Sequence, residues 1–299
     1  MAGLDVHQHL WPPSFVEELS RRASIPFLEG ANLHLSEGVY QIELRDHELA
    51  TRLSLLDRAG IDTAVVSLQP TLGLESVEPG ERERLEGVWE EGILGLAAAA
   101  AGRIVPLAPG LPREGFAGAS IGADRLDDLD ALAPTLDALR GSGVLFVHPV
   151  AGDPPAGAPS WWPAVVDYTS QMQRAYLAWL AGAQERWPDV TVVFAILAGG
   201  APVQHERLGS RGVEPASLLH TNLYFDTASY GPRALRLCAE SVGAAQLVFG
   251  TDAPVVDPAH AAGALAALGE PFERLAREES ARRLGIRAKI SPVIDRSED

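Results

Sequence analysis

Two histidines one residue apart, His7 and His9, close a short apolar run, Leu4-Asp5-Val6-His7-Gln8-His9-Leu10. On an extended strand residues i and i+2 point the same way, so both imidazoles can grip one ion. Neutral imidazole nitrogen suits zinc and similar divalent metals. The pair alone is a weak signal and strengthens only if later strand ends add donors. Two do: His148 ends Val144-Leu145-Phe146-Val147-His148, and Asp252 follows Phe249-Gly250-Thr251. Each has a bland reading, His148 as a capped strand-end histidine and Asp252 as an N-cap of the next turn. Together at matching strand ends they form a metal-ligand set with room left for water.

The elements that must position these residues alternate. Eight apolar or β-branched stretches occupy residues 4–9, 63–68, 103–108, 116–122, 144–148, 190–195, 223–227 and 247–250. Helical patterns follow them, at about 14–23, 46–60, 80–101, 126–140, 162–187, 202–208 and 232–242. In the second, Asp46 reads as the N-cap, Leu49, Leu53, Leu56 and Ala59 share one face, and Gly60 ends the helix. Regular alternation favours a parallel sheet. Eight repeats predict a closed (β/α)8 TIM barrel with its active site at the C-terminal strand ends. The chain reads as one domain over residues 1–299. Residues 24–45 form a lid or an insertion, too polar and irregular for a core element, and a polar tail starts near 287.

Composition narrows the function. The 299 residues are 46% hydrophobic and 21% charged, ample for one barrel core. The net charge of −16 disfavours nucleic acid and anionic membrane surfaces as partners. A small-molecule substrate is expected instead, with a homodimer as the expected assembly. No apolar run reaches membrane-spanning length, and no secretory signal precedes the first strand, so the cytoplasm is the expected location. Cys238 lies in an apolar helical pattern and reads as a buried thiol. Lys289 is the only lysine, which argues against a Schiff-base or carbamylated lysine.

The strand ends resemble those of the amidohydrolase superfamily, most of all the amidohydrolase-related branch that includes aminocarboxymuconate-semialdehyde decarboxylase. The matching pieces are Asp5-Val6-His7-Gln8-His9, Leu145-Phe146-Val147-His148-Pro149, Tyr224-Phe225-Asp226-Thr227-Ala228 and Val248-Phe249-Gly250-Thr251-Asp252-Ala253-Pro254. The resemblance implies that His7, His9, His148 and Asp252 hold one divalent ion, zinc before manganese or iron. Two-metal members bridge their ions with a lysine or glutamate on the fourth strand, and residues 116–122 contain neither. A mononuclear site follows. The family usually places a histidine at the end of the sixth strand, ahead of a glycine pair. Here the segment reads Phe194-Ala195-Ile196-Leu197-Ala198-Gly199-Gly200, and neither Ile196 nor Leu197 can move a proton.

These residues predict a metal-dependent hydrolase. A bound divalent ion can lower the pKa of a water to about 7, and Asp252 is the candidate catalytic residue that shuttles its proton. A metal-dependent carboxy-lyase is the alternative, and a barrel that has lost catalysis and only binds a ligand is the third. Trp11, Trp161 and Tyr230, in loops expected at the barrel mouth, and His205, just past the glycine pair, are candidate substrate contacts. Trp162 reads rather as an anchor of the long helix. Arg45 or Arg125 could pair with a substrate carboxylate. His220 reads as structural, His34 belongs to the lid segment, and His47 and His260 receive no role.

Overall fold

The computed structural model describes residues 3–286. The expected polar tail and Lys289 lie outside the described residues. Strand β1 (Leu4–His9) is followed by three short strands, β2 (Phe27–Glu29), β3 (Asn32–Leu35) and β4 (Gly38–Gln41). Then come β5 (Thr63–Ser67), β6 (Ile104–Pro106), β7 (Ala108–Pro109), β8 (Gly118–Gly122), β9 (Val144–His148), β10 (Thr191–Phe194), β11 (Leu223–Asp226) and β12 (Leu247–Val248). All eight expected strand positions are occupied, the third by β6 and β7 with Leu107 between them.

Two parallel sheets, β1-β5-β6 and β12-β11-β10-β9-β8-β7, make the wall. They meet on one side where β6 runs through Leu107 into β7 and Ala117 N, just before β8, donates to Pro106 O at 3.0 Å. On the other side Val6 N donates to Phe249 O and His9 N to Ala253 O, each at 2.8 Å. The ring is thereby closed into a (β/α)8 barrel. Every residue of β1, β5, β8 and β9 is buried, as expected for parallel strands covered on both faces.

Helices α1 (Pro13–Arg21), α2 (Leu49–Ala59), α3 (Pro79–Ala99) and α4 (Leu129–Ala138) coat the barrel. Gly60 closes α2 in the left-handed conformation, φ 62°. Asp46 is not its cap. It sits in a 3-10 turn, Leu44–His47, and Glu48 precedes the helix without a side-chain capping bond. The long helical run expected at 162–187 is present from Pro163 to Arg186, with two widened i→i+5 turns. Cys238 is buried in the helix Pro232–Val242, and burial pushes its thiol up to about 12.

The segment expected as a lid or insertion is an antiparallel meander, β2-β3-β4. It is less detached from the core than its polarity predicts. Leu28 and Leu33 face each other across β2 and β3 and are buried with Phe15 and Leu19 of α1. At its tip Glu37 accepts hydrogen bonds from Gly152 N and Tyr168 Oη, both at 2.5 Å. The meander is thus fastened to the segment that follows β9. No helix among the described residues is long and apolar enough to cross a membrane.

Candidate metal centre

The first two candidate ligands, His7 and His9, sit beside an irregularity in β1. Along the β1–β5 pair, Asp5 lies opposite Ala64 but Gln8 lies opposite Val66, so β1 carries one extra residue between them. Such a bulge re-aims side chains and is common beside active sites. Around it runs a buried polar network. Asp5 accepts from Gln8 Nε2 and Thr251 Oγ1, both at 2.7 Å, and from the backbone N–H groups of His7 and Thr251, both at 3.1 Å. Arg52, 1% exposed, donates to Gln8 Oε1 and His9 O, both at 2.9 Å, and to Asp46 O at 3.0 Å. One carboxylate therefore ties β1 to the loop after β12, and one guanidinium ties it to α2.

His7, His9, His148 and Asp252 come together, with one donor atom from each lying within 4.8 Å of the others. The Nε2 atoms of His7 and His9 are 3.2 Å apart. Asp252 Oδ1 is 3.4 Å from the first and 3.2 Å from the second. Each imidazole has an acceptor at its other nitrogen. His7 Nδ1 donates to Asp226 Oδ2 at 2.7 Å, His9 Nδ1 to Ser67 O at 3.1 Å and His148 Nδ1 to Pro149 O at 2.8 Å. These partners assign the Nδ1–H tautomer, so the three Nε2 atoms face one another with lone pairs. Bare lone pairs at 3.2 Å repel unless a cation sits between them, and three imidazoles with one carboxylate are a donor set for a divalent metal. The residues fit the ion that the sequence predicts.

The electrostatics agree. Burial opposes the charged form of His7, but the Asp226 and Asp252 carboxylates override it and raise its pKa to about 9. A proton takes the cation's place there when no metal is bound. Burial, together with the charge on His7, pulls His9 down and His148 well below the ordinary imidazole value. Asp252 is lowered although burial opposes it, because three imidazoles face it. Its side chain is 15% exposed against 0% for His7 and 1% for His9, which leaves it more open to an incoming molecule than they are.

Backbone strain marks the segments after β10 and β12. Asp252 has φ 61°, a conformation aspartate tolerates better than most residues. Residues 196–200 form a left-handed run, with φ 44° at Ile196 and 52° at Leu197. For β-branched isoleucine this is unusual and costs of order 1–3 kcal/mol. Asp226 helps hold it, since Oδ1 accepts from Ile196 N at 3.1 Å; the same oxygen accepts from Ala228 N at 2.8 Å. Gly250 is required by close packing. A Cβ there would lie 2.9 Å from His7 Cβ and 3.0 Å from Asp226 Cγ.

The chain matches the amidohydrolase family model over residues 4–285. It belongs to the amidohydrolase family. No curated protein matches it. Among solved structures similar to this amidohydrolase is Metarhizium anisopliae IDCase in its apo form, at 20% identity and a TM-score of 0.79, covering 95% of this chain and 97% of that one. Another is 2,6-dihydroxybenzoate decarboxylase from Rhizobium, at 15% identity and TM-score 0.71, covering 96% and 99%. A third is 5-carboxyvanillate decarboxylase from Novosphingobium aromaticivorans, complexed with manganese and a nitrobenzoic acid. It is 15% identical with TM-score 0.69, covering 95% of each chain. At such identities these likenesses concern the fold.

The remaining candidates are scattered. Trp11 is 1% exposed. His47 stacks on its ring at 4.4 Å, and its Nε1 donates to Gln69 Oε1 at 2.8 Å, so it packs in the core and is not an open platform. Trp161 is exposed and stacks on Trp162. His205 is joined to Tyr176 Oη at 2.8 Å and stacks on that ring, between helices and away from the four ligands. Tyr230 is partly buried against the core, and burial raises its phenol's pKa. Arg45 is 72% exposed beside Glu43. The sequence reading gave no role to Asp226, Asp5, Gln8 or Arg52. The signal for the first three was present, since each is polar inside or at the end of an apolar strand.

Proposed function

We propose that this amidohydrolase is a mononuclear, metal-dependent decarboxylase of a small carboxylic acid. The observation that carries the reading is the make-up of the site: one partly exposed carboxylate, Asp252, beside three imidazoles, with the aliphatic Ile196 and Leu197 at the sixth strand end. Zinc suits the three imidazoles, and the manganese bound by a structural relative supports that ion as the alternative. A divalent ion held by His7, His9, His148 and Asp252 supplies Lewis acidity and attraction for an anionic substrate.

The chain's own groups then have one proton to manage. When the bond between carbon and carboxylate breaks, its electron pair stays on the substrate carbon and CO2 leaves neutral. Asp252, held as a carboxylate by the three imidazoles that face it, first takes a proton from solvent and then passes it to that carbon. No leaving group needs a second acid, so the missing strand-six histidine is not required. Cleavage of an amide or ester also needs a protonated leaving group, which this site meets only by using Asp252 twice. Ile196, 8% exposed, and Leu197, 1% exposed, give the strand end a dry wall that favours loss of charge from a carboxylate.

The hydrolysis expected from sequence is the second reading. It is favoured by the solvent access of Asp252, which lets the same group take a proton from water and return it to a leaving group. A purely binding barrel is disfavoured by the three oriented tautomers, which a site without metal does not need. To test the proposal, the protein is loaded with zinc or manganese and offered small aromatic and aliphatic carboxylic acids in D2O. Release of CO2 with deuterium at the vacated carbon is the expected result. Cleavage of esters, lactones or amides with no CO2 from any acid would replace it with hydrolysis.

A further inference from the structure

A cavity of about 130 Å³ lies over the ends of β5, β7 and β8, on the flank of the metal centre. Ser67, whose carbonyl orients His9, is two residues ahead of Gln69 in its wall. Ser120 stands in register with Phe146, whose ring lies 4.9 Å from that of His7. Gly122, also in the wall, stands in register with His148. A cavity of about 150 Å³ can hold benzene, so this one has room for a single ring or a short chain.

The neutral and cationic groups left free in it are donors. Both oxygens of Glu75 are engaged, one with Arg82 Nη1 at 2.5 Å and one with Arg125 Nη1 at 3.6 Å. That loose second contact leaves most of the N–H fork of Arg125 available. Gln69 gives its oxygen to Trp11 Nε1, which turns its amide N–H groups elsewhere. Ser120 is 3% exposed and its Oγ has no hydrogen-bond partner among the described residues. An unpaired buried hydroxyl costs about 1–3 kcal/mol, and a ligand acceptor would remove that cost. Burial holds Glu86 up at about 7, so below that pH it too presents a proton.

We propose that this cavity is a specificity subsite for a second anionic, acceptor-rich group of the substrate, a carboxylate or equivalent oxyanion, with Arg125 as counter-ion and Ser120 and Gln69 as neutral donors. The inference rests on the reading of the centre as a site for a small carboxylic acid. The reacting carboxylate sits at the four ligands and the second acceptor sits here. Arginine binds carboxylate through two parallel hydrogen bonds, a geometry lysine does not reproduce.

The test is calorimetric binding of benzoate, benzene-1,3-dicarboxylate and benzene-1,4-dicarboxylate to the manganese-loaded full chain. At least one dicarboxylate should bind about tenfold or more tighter than benzoate. Arg125→Ala should erase that advantage and leave benzoate unchanged, and Arg125→Lys should restore only part of it. Ser120→Ala should weaken the dicarboxylate without lowering Tm, because no native partner is lost. Equal affinity for all three acids, no binding of any, or a preference that survives Arg125→Ala overturns the subsite. The reaction is judged separately. A dicarboxylate preference with no CO2 released from any acid keeps the subsite and removes the decarboxylase reading.

Discussion

His7 Nδ1 lies 2.7 Å from Asp226 Oδ2 with both side chains fully buried, so a carboxylate 219 residues away in sequence decides which nitrogen of His7 faces the metal centre. The same carboxylate holds the left-handed turn through Ile196 N and the loop after β11 through Ala228 N. Outer partners of this kind are worth about 10–100-fold in metal affinity. Asp226→Asn should therefore weaken metal binding by that order while the circular dichroism stays native. The amide can turn its N–H toward Nδ1 and force the other tautomer. Gly250→Ala should act in the same direction, by pushing a Cβ into the pair. Competition with a chelating dye reads both, and unchanged affinity in Asp226→Asn would show that the pair does not set the ligand.

Metal binding should depend on pH through His7. Without metal, Asp226 and Asp252 hold its pKa at about 9 against burial, so an entering ion must displace a proton below that pH. His9 and His148 are pulled the other way and offer little competition. Affinity should then rise about tenfold per pH unit from neutrality toward 9 and level off above it. The metal-free protein carries the opposite trend. A raised pKa stabilises it fully below about 6.5, and that contribution is lost as pH rises through about 9. Tm of chelator-treated protein should fall over this window, whereas metal-loaded protein should hold. Parallel curves for the two forms would contradict the assignment.

The cluster of His7, His9, His148 and Asp252 was legible because each lies in or just past an apolar run near a strand end, where spacing and barrel topology restrict the direction of a side chain. Asp226 closes such a run as well, Leu223-Tyr224-Phe225-Asp226, but its meaning lies in a contact with His7 that no local spacing encodes. Arg52 was hidden among Leu49, Leu53 and Leu56. A helical face with one cation reads as amphipathic until the fold shows that the cation points inward at Gln8 and the carbonyl of His9. The meander was concealed by its polarity, since its short strands gain most from the burial of Leu28 and Leu33 against α1. Asp46 read as a cap from its residue type. Its carbonyl serves Arg52 instead.

Arg52 should be structural and not catalytic. It is buried, has its pKa lowered by burial to about 10, and makes three hydrogen bonds, two to β1 and one to Asp46 O. Removing one member of a buried charged network costs about 3–5 kcal/mol. Arg52→Met should lower Tm by roughly 10 °C and loosen the metal only as the fold loosens. Thermal melts with and without metal test this. A variant with native Tm and lost metal would move Arg52 into the site's direct support.

Asp252 and Ile196 together separate metal holding from proton transfer. Asp252→Asn keeps an oxygen ligand but cannot carry a proton, so most of the metal should remain while turnover falls by about 10²–10⁴-fold. Loss of the metal in proportion to activity would make Asp252 a ligand alone. Ile196→His puts a proton carrier at the sixth strand end. Histidine is enriched several-fold at positive φ over most residues, so the left-handed turn should accept it with little loss of Tm. If Asp252 is the sole proton carrier, wild-type turnover follows one ionisation, and Ile196→His adds a second limb to the pH profile near neutrality. In the double variant, a partial return of activity would place the new imidazole on the same proton path. A double variant as inactive as Asp252→Asn alone would mean that residue 196 does not reach the reacting atoms.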